Sequence, residues 1–286
     1  MGSKGKMKQL IREIEKVRWV STEDGWNALL EKNNLPTSPA FLKDAINTFI
    51  KKKENKPKGE SLLWLRRTLK FTMVKKNGTI KPGRPEEALE RFIVASNDEV
   101  FNQIPVGGGK ENVDLGYWEN NAKEVFNFVE LKAWKSDESP LYAVIESFKN
   151  LSLFRLIQDE KISCRDRKKL KKGEDVVNVH KVKKINLIIL APQKYYEKHK
   201  IREGNLPLYK NLIAMLEEKL GITVEFKEIN YDETKFNETC VNLAKPFNNG
   251  QWTRSKNTEQ YDFRKNVNAK DIEVVENLKY KNWIKL

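Results

Sequence analysis

Two hydrophobic rhythms run along the chain. Up to about Phe71 apolar residues recur at helical spacing. Leu10, Ile11, Ile14 and Val17 repeat every three to four positions. Phe41, Leu42, Ala45, Ile46, Phe49 and Ile50 do the same behind Ser38, a good N-cap, and Pro39, which suits a first helical turn. The polar run from Lys51 to Gly59 reads as a loop, residues 62–69 as a further apolar segment able to pack, and Lys76-Asn77-Gly78 as a tight turn. Lys81-Pro82-Gly83-Arg84-Pro85 then punctuates the chain and marks its main boundary.

Beyond it the rhythm changes. Residues 85–96 predict a helix that opens at a proline and turns Leu89, Phe92 and Ile93 inward. Residues 101–106, 113–119 and 125–134 predict three short strands joined by turn formers. Residues 139–158 predict a long helix burying Leu141, Val144, Ile145, Phe148 and Leu151, and the uninterrupted apolar run 185–190 predicts a strand covered on both faces. A helix over 208–220 and an alternating strand over 222–229 follow. The order is α-β-β-β-α-β, then α-β: an α/β protein with a mixed sheet flanked by helices. The division expected is a helical accessory region at 1–83, a core at 84–235, and a C-terminal extension at 236–286 packed on the core, in which only 272–283 predicts an ordered element.

Composition narrows the function. With 33% charged residues and no apolar run near the roughly 18 needed to span a bilayer, the chain is expected to be water-soluble. Its basic N-terminal segment lacks the apolar stretch of a secretory signal, so a cytoplasmic location is expected. Cys164, Cys240, His180 and His199 have no paired-ligand spacing, which argues against a structural zinc site. The formal charge of +14 attracts polyanions, and counterion release favours nucleic acid as the partner.

One constellation adds chemistry. Asp114 falls in the second predicted strand and Glu130 in the third, sixteen residues apart across a hairpin, so both carboxylates can reach one ion. Strand alternation puts Lys132 on the face of Glu130, with Leu131 pointing away. Burying such groups among apolar neighbours such as Val125, Phe126, Phe128 and Val129 is costly unless they pair or bind an ion.

Val113-Asp114, then Val129-Glu130-Leu131-Lys132 at the end of an apolar strand, then a long helix, resembles the PD-(D/E)XK nuclease superfamily over about residues 85–190. Val113 stands where that family often has proline. The resemblance implies a restriction-endonuclease-like core and Mg²⁺-dependent hydrolysis of DNA, with Mn²⁺ as a substitute, in restriction, defence or repair. Asp114, Glu130 and the Leu131 carbonyl would hold the metal, and Lys132 would assist the attacking water. Many members also carry a glutamate on the first core helix; Glu90 fills that role here as a catalytic and metal residue, with Glu86 one turn earlier as the substitute. Cutting a duplex calls for a homodimer or for two monomers acting in turn. The alternative is a catalytically inactive nuclease-fold protein that binds nucleic acid.

Weaker signals lie outside the constellation. Gly107-Gly108-Gly109-Lys110 lacks the ending of a phosphate-binding loop and leads to a strand, so it reads as a loop beside the site. The basic runs 165–172 and 181–184 can track phosphates but read equally well as solvated loops, and Trp252 with Arg254 and Lys256 combines an aromatic with cations as single-strand binders do, although core packing is the better reading of that tryptophan. Tyr142 and Glu146, on the helix after Lys132, are placed to face the site.

Overall fold

The computed structural model describes residues 70–76, 79–106, 112–160, 176–201, 220–244 and 278–286, short stretches at 59–60, 62–65, 67–68, 164–165, 209–210, 213–214, 217–218 and 258–262, and single residues at 25, 28 and 47. The predicted N-terminal helix at 10–17, all of that at 38–50 except the helical Asn47, the Gly107–Lys110 loop, most of the first basic run and the Trp252 segment lie outside the described residues.

The strands are β1 (Gly59–Glu60), β2 (Leu62–Trp64), β3 (Lys70–Lys76), β4 (Thr79–Pro82), β5 (Val100–Pro105), β6 (Asn112–Trp118), β7 (Val125–Leu131), β8 (Cys164–Arg165), β9 (Val176–Asn178), β10 (Lys184–Pro192), β11 (Ile222–Ile229), β12 (Thr258–Asp262) and β13 (Ile284–Lys285). The α-helices whose bounds fall within the described residues are α1 (Pro85–Ser96), α2 (Pro140–Gln158), α3 (Gln193–Lys198) and α4 (Glu233–Ala244). Six strands form one mixed sheet in the order β13-β11-β10-β7-β6-β5. Within it β5, β6 and β7 form an antiparallel meander, and β7, β10 and β11 run parallel.

Helices cover both faces. On one, α2 packs Leu141, Val144, Phe148 and Leu151 against Phe126, Phe128, Ile185, Leu187 and Ile189. On the other, α1 and α4 bring Leu89, Phe92 and Phe236 against Leu115, Val129, Leu131, Ile188 and Leu190. This double cover explains why β7 and β10 read as nearly continuous apolar runs. Local chemistry sets the helix starts. Pro85 is pre-organised for the first turn of α1, and Ser139 caps α2 by accepting the Tyr142 N–H at 3.1 Å.

The structure departs from the predicted helical region before residue 83. Leu62–Trp64 is a strand paired with β9, and Lys70–Lys76 forms a hairpin with Thr79–Pro82. A short apolar run fits strand or helix equally well, and here the partner lies more than a hundred residues away, where periodicity cannot see it. Met73 of the hairpin is buried in the same cluster as Leu89 and Phe92. The C-terminal residues also join the body: Leu278 and Trp283 are buried there, and β13 adds an edge strand. No described helix is long and apolar enough to cross a membrane.

Candidate active site

The β5-β6-β7 meander and α1 create the site. The β6-β7 ladder ends at the pair Leu115–Val129, and Asp114 and Glu130 are the next residues beyond it, Asp114 turned to the cleft and Glu130 to the α2 side. Asp114 reaches across the gap between the strands, where its Oδ2 accepts the Leu131 N–H at 2.9 Å. The aspartate is thereby tied to the backbone between Glu130 and Lys132. The Leu131 side chain points away into the α1-facing core.

A break in strand alternation aims Asp114. Leu115 and Tyr117 face α1, so regular pleating would send Val113 there too, yet Val113 is buried on the α2 side with Ile104. On β5 the same inversion separates Val100 from Ile104. Between the pairs Asn102–Leu115 and Ile104–Val113 stands Gln103, whose φ of 52° lies in the left-handed region. The inversion turns Gln103 and Asp114 into a cleft of about 510 Å³ under the first turns of α1. Glu86, Glu90, Arg84, Arg91 and Lys135 also line it.

Both helix glutamates take part. Glu86 accepts the Ala133 N–H at 3.1 Å, bridging α1 to the end of the Glu-x-Lys segment. Glu90 accepts from Gln103 Nε2 at 2.9 Å and from Arg91, which also lies 3.8 Å from Glu87. The sequence ranked Glu90 above Glu86, and the structure brings both to the cleft.

Glu130 and Lys132 are deeply buried, face α2, and are not among the residues lining the cleft. Lys132 Nζ lies 2.9 Å from Glu130, 3.0 Å from Glu138 and 3.5 Å from Glu146. Ser147, with one hydroxyl proton to give, lies 3.3 Å from Glu130 Oε2 and 2.9 Å from the Ala143 carbonyl. Glu146 therefore faces the site as its helix position suggested. Glu138, Gln103 and Ser147 were missed: a loop acid, a left-handed strand residue and a helical serine carry no local signal of their neighbours.

The charges are out of balance. Burial, then the carboxylates of Glu130, Glu90 and Glu86, holds Asp114 well above the usual range, with Lys132 opposing. Burial likewise lifts Glu130 to about 7 against the pull of Lys132, and Glu90 to about 7 against Arg91 and Gln103. Glu86 is raised by burial despite Lys132 and the Ala133 hydrogen bond. Burial alone would lower Lys132, but Glu130, Glu86, Glu146 and Asp114 keep its ammonium well above the ordinary lysine value.

The donors around Asp114 are carboxylate oxygens, without thiol or imidazole among them, a set that fits a hard divalent cation such as Mg²⁺ or Mn²⁺. Among the described residues no three acidic, histidine or cysteine side chains are already closed around one point. Comparison with protein-family models, curated proteins and solved structures finds no significant match to this chain.

Proposed function

We propose that the protein is a metal-dependent deoxyribonuclease of the PD-(D/E)XK type, hydrolysing DNA phosphodiester bonds at the Asp114 cleft. The observation that carries this reading is the Asp114 carboxylate fastened to the Leu131 N–H, the backbone link between Glu130 and Lys132 on the neighbouring antiparallel strand. The helix–meander–helix–parallel strand order around it supports the same reading, as does the glutamate-bearing helix over the cleft.

In this reading Asp114 and Glu130 hold a divalent cation, Glu90 or Glu86 completes its surroundings, and the Leu131 carbonyl is a further donor. A bound cation supplies charge neutralisation at the phosphate under attack. Lys132 keeps a protonated ammonium beside Glu130, available to stabilise developing negative charge. Arg84 and Lys135 on the cleft wall offer cations to backbone phosphates, and the net charge of +14 draws DNA to the surface.

Plasmid cleavage in Mg²⁺ or Mn²⁺ tests the proposal. Asp114→Ala and Lys132→Ala should each reduce cutting to background while the variants still fold and still retard DNA at low salt. Unchanged cutting by either variant removes the assignment. The enclosure of Lys132 by Glu130, Glu138 and Glu146 favours a second reading, a nucleic-acid-binding protein that does not cut, because its ammonium is already engaged by three carboxylates. That reading expects wild-type protein to shift DNA and never nick it with either metal.

A further inference from the structure

We infer that Gln103 is a positioning residue of this site: its carboxamide holds the Glu90 carboxylate in the orientation from which it and Asp114 face a shared divalent cation. This rests on the cation-site reading above.

Backbone conformation is the first support. Four non-glycine residues with positive φ occur among the described residues: Gln103, Lys123, Glu160 and Lys200. Lys123 lies in the β6-β7 turn, and Glu160 and Lys200 just past the ends of α2 and α3, where left-handed backbone reverses the chain. Gln103 alone of these lies within a strand. Such a conformation costs energy for a residue with a Cβ and persists only where the surroundings impose it. Strained backbone of this kind concentrates at functional sites.

Its effect on the side chain is the second support. In a regularly pleated β5, position 103 would share the α2-facing side with Phe101, away from Asp114's cleft. The left-handed step moves it to the cleft wall, level with Asp114 on the adjoining strand. There the carboxamide is used at both ends. Nε2 donates to Glu90 Oε2 at 2.9 Å, and Oε1 lies 3.4 Å from Asn112 Nδ2. Arg91 donates to the other Glu90 oxygen, so the carboxylate is fixed at Oε1 by one donor and at Oε2 by another. Hydrogen bonds behind a ligand set its orientation and commonly change metal affinity ten- to a hundredfold.

The test is calorimetric titration of Mn²⁺ alone into the full-length protein: wild type, Gln103→Gly, Glu90→Gln, the double variant and Asp114→Asn. Glycine adopts the left-handed φ freely, so Gln103→Gly removes the amide while its thermal unfolding stays at or above that of wild type. Mn²⁺ affinity should fall about ten- to a hundredfold, and the same change made on Glu90→Gln should have no further effect, because Gln103 acts through Glu90. Binding within twofold of wild type overturns the inference, and so does an equal loss in the Glu90→Gln background. Should the glycine variant not fold, Gln103→Asn, which tolerates the same backbone but has a side chain one methylene shorter, is judged by the same criteria. If wild type binds no Mn²⁺, or Asp114→Asn binds it equally well, the cation-site reading fails and the role of Gln103 falls with it. Loss in Asp114→Asn with retention in Gln103→Gly leaves the site standing and removes Gln103 alone.

Discussion

At the scale of single residues the site is governed by carboxylates withdrawn from water. Glu90 and Glu130 are held at about 7 in the folded chain, above the ordinary 4.5, so folding takes up protons there. Their contribution to stability is full below about 4.5 and is lost as pH rises through about 7. His199, held low by burial, works in the opposite direction below about 6.5, so the comparison to make is between variants rather than along one curve. Metal-free Glu130→Gln should match wild type in urea unfolding at pH 4.5 and exceed it by about 1–3 kcal/mol at pH 8. Equal stability at pH 8 would mean that Glu130 sits at no electrostatic cost. Asp114, Glu130 and Lys132 were recognisable as candidates because they interrupt apolar strands. Glu138, which also holds Lys132, lies in a polar loop before α2, where an acid is unremarkable.

Among the elements, the β5-β6-β7 meander is the part on which the site geometry depends. Gly116 lies where β6 crosses between Ile104 and Phe126. A Cβ there would meet Phe126 ring carbons at 2.8 Å and would also strike Ile104 Cδ1. Gly116→Ala should therefore cost roughly 1–3 kcal/mol in denaturant unfolding, because both neighbours are packed core residues with little room to yield. It should also weaken any metal binding at Asp114, two residues away on the same strand. A fully stable variant would show that the strands can separate without loss. The helices and strands of this region were legible because their signals are short-range: Pro85 and Ser139 mark helix starts, and β10 and β11 carry buried-strand patterns. The inversion at Gln103 was not, since glutamine carries no left-handed preference and only the packing of β5 against β6 imposes it. β2 was misread for the related reason that its pairing partner is remote in sequence.

Over the whole molecule, segments distant in sequence close one core. Asn97, just past α1, donates to the carbonyls of Ile93 at 2.7 Å and Leu278 at 3.1 Å, and accepts the Tyr280 N–H at 3.0 Å. This one buried side chain fastens the C-terminal residues to the helix that bears Glu86 and Glu90. Asn97→Ala leaves buried polar groups without partners and should lower stability by about 1–3 kcal/mol, with faster hydrogen exchange at 278–286 than elsewhere in the sheet. Uniform exchange would place the anchor in the apolar contacts of Leu278 and Trp283 instead. By itself the sequence determined what neighbours along the chain can decide: the α/β order, the extent of α1, α2, β10 and β11, and the hairpin that puts an aspartate near a Glu-x-Lys. Tertiary structure decided which side of the sheet each of those groups meets, that Lys132 is enclosed by acids from a loop and a helix, and that Met73, Leu278 and Trp283 complete the core around α1. Caps, turns and periodicity are local energies readable within a few residues, whereas burial, enclosure and a reversed pleat exist only once distant segments have packed.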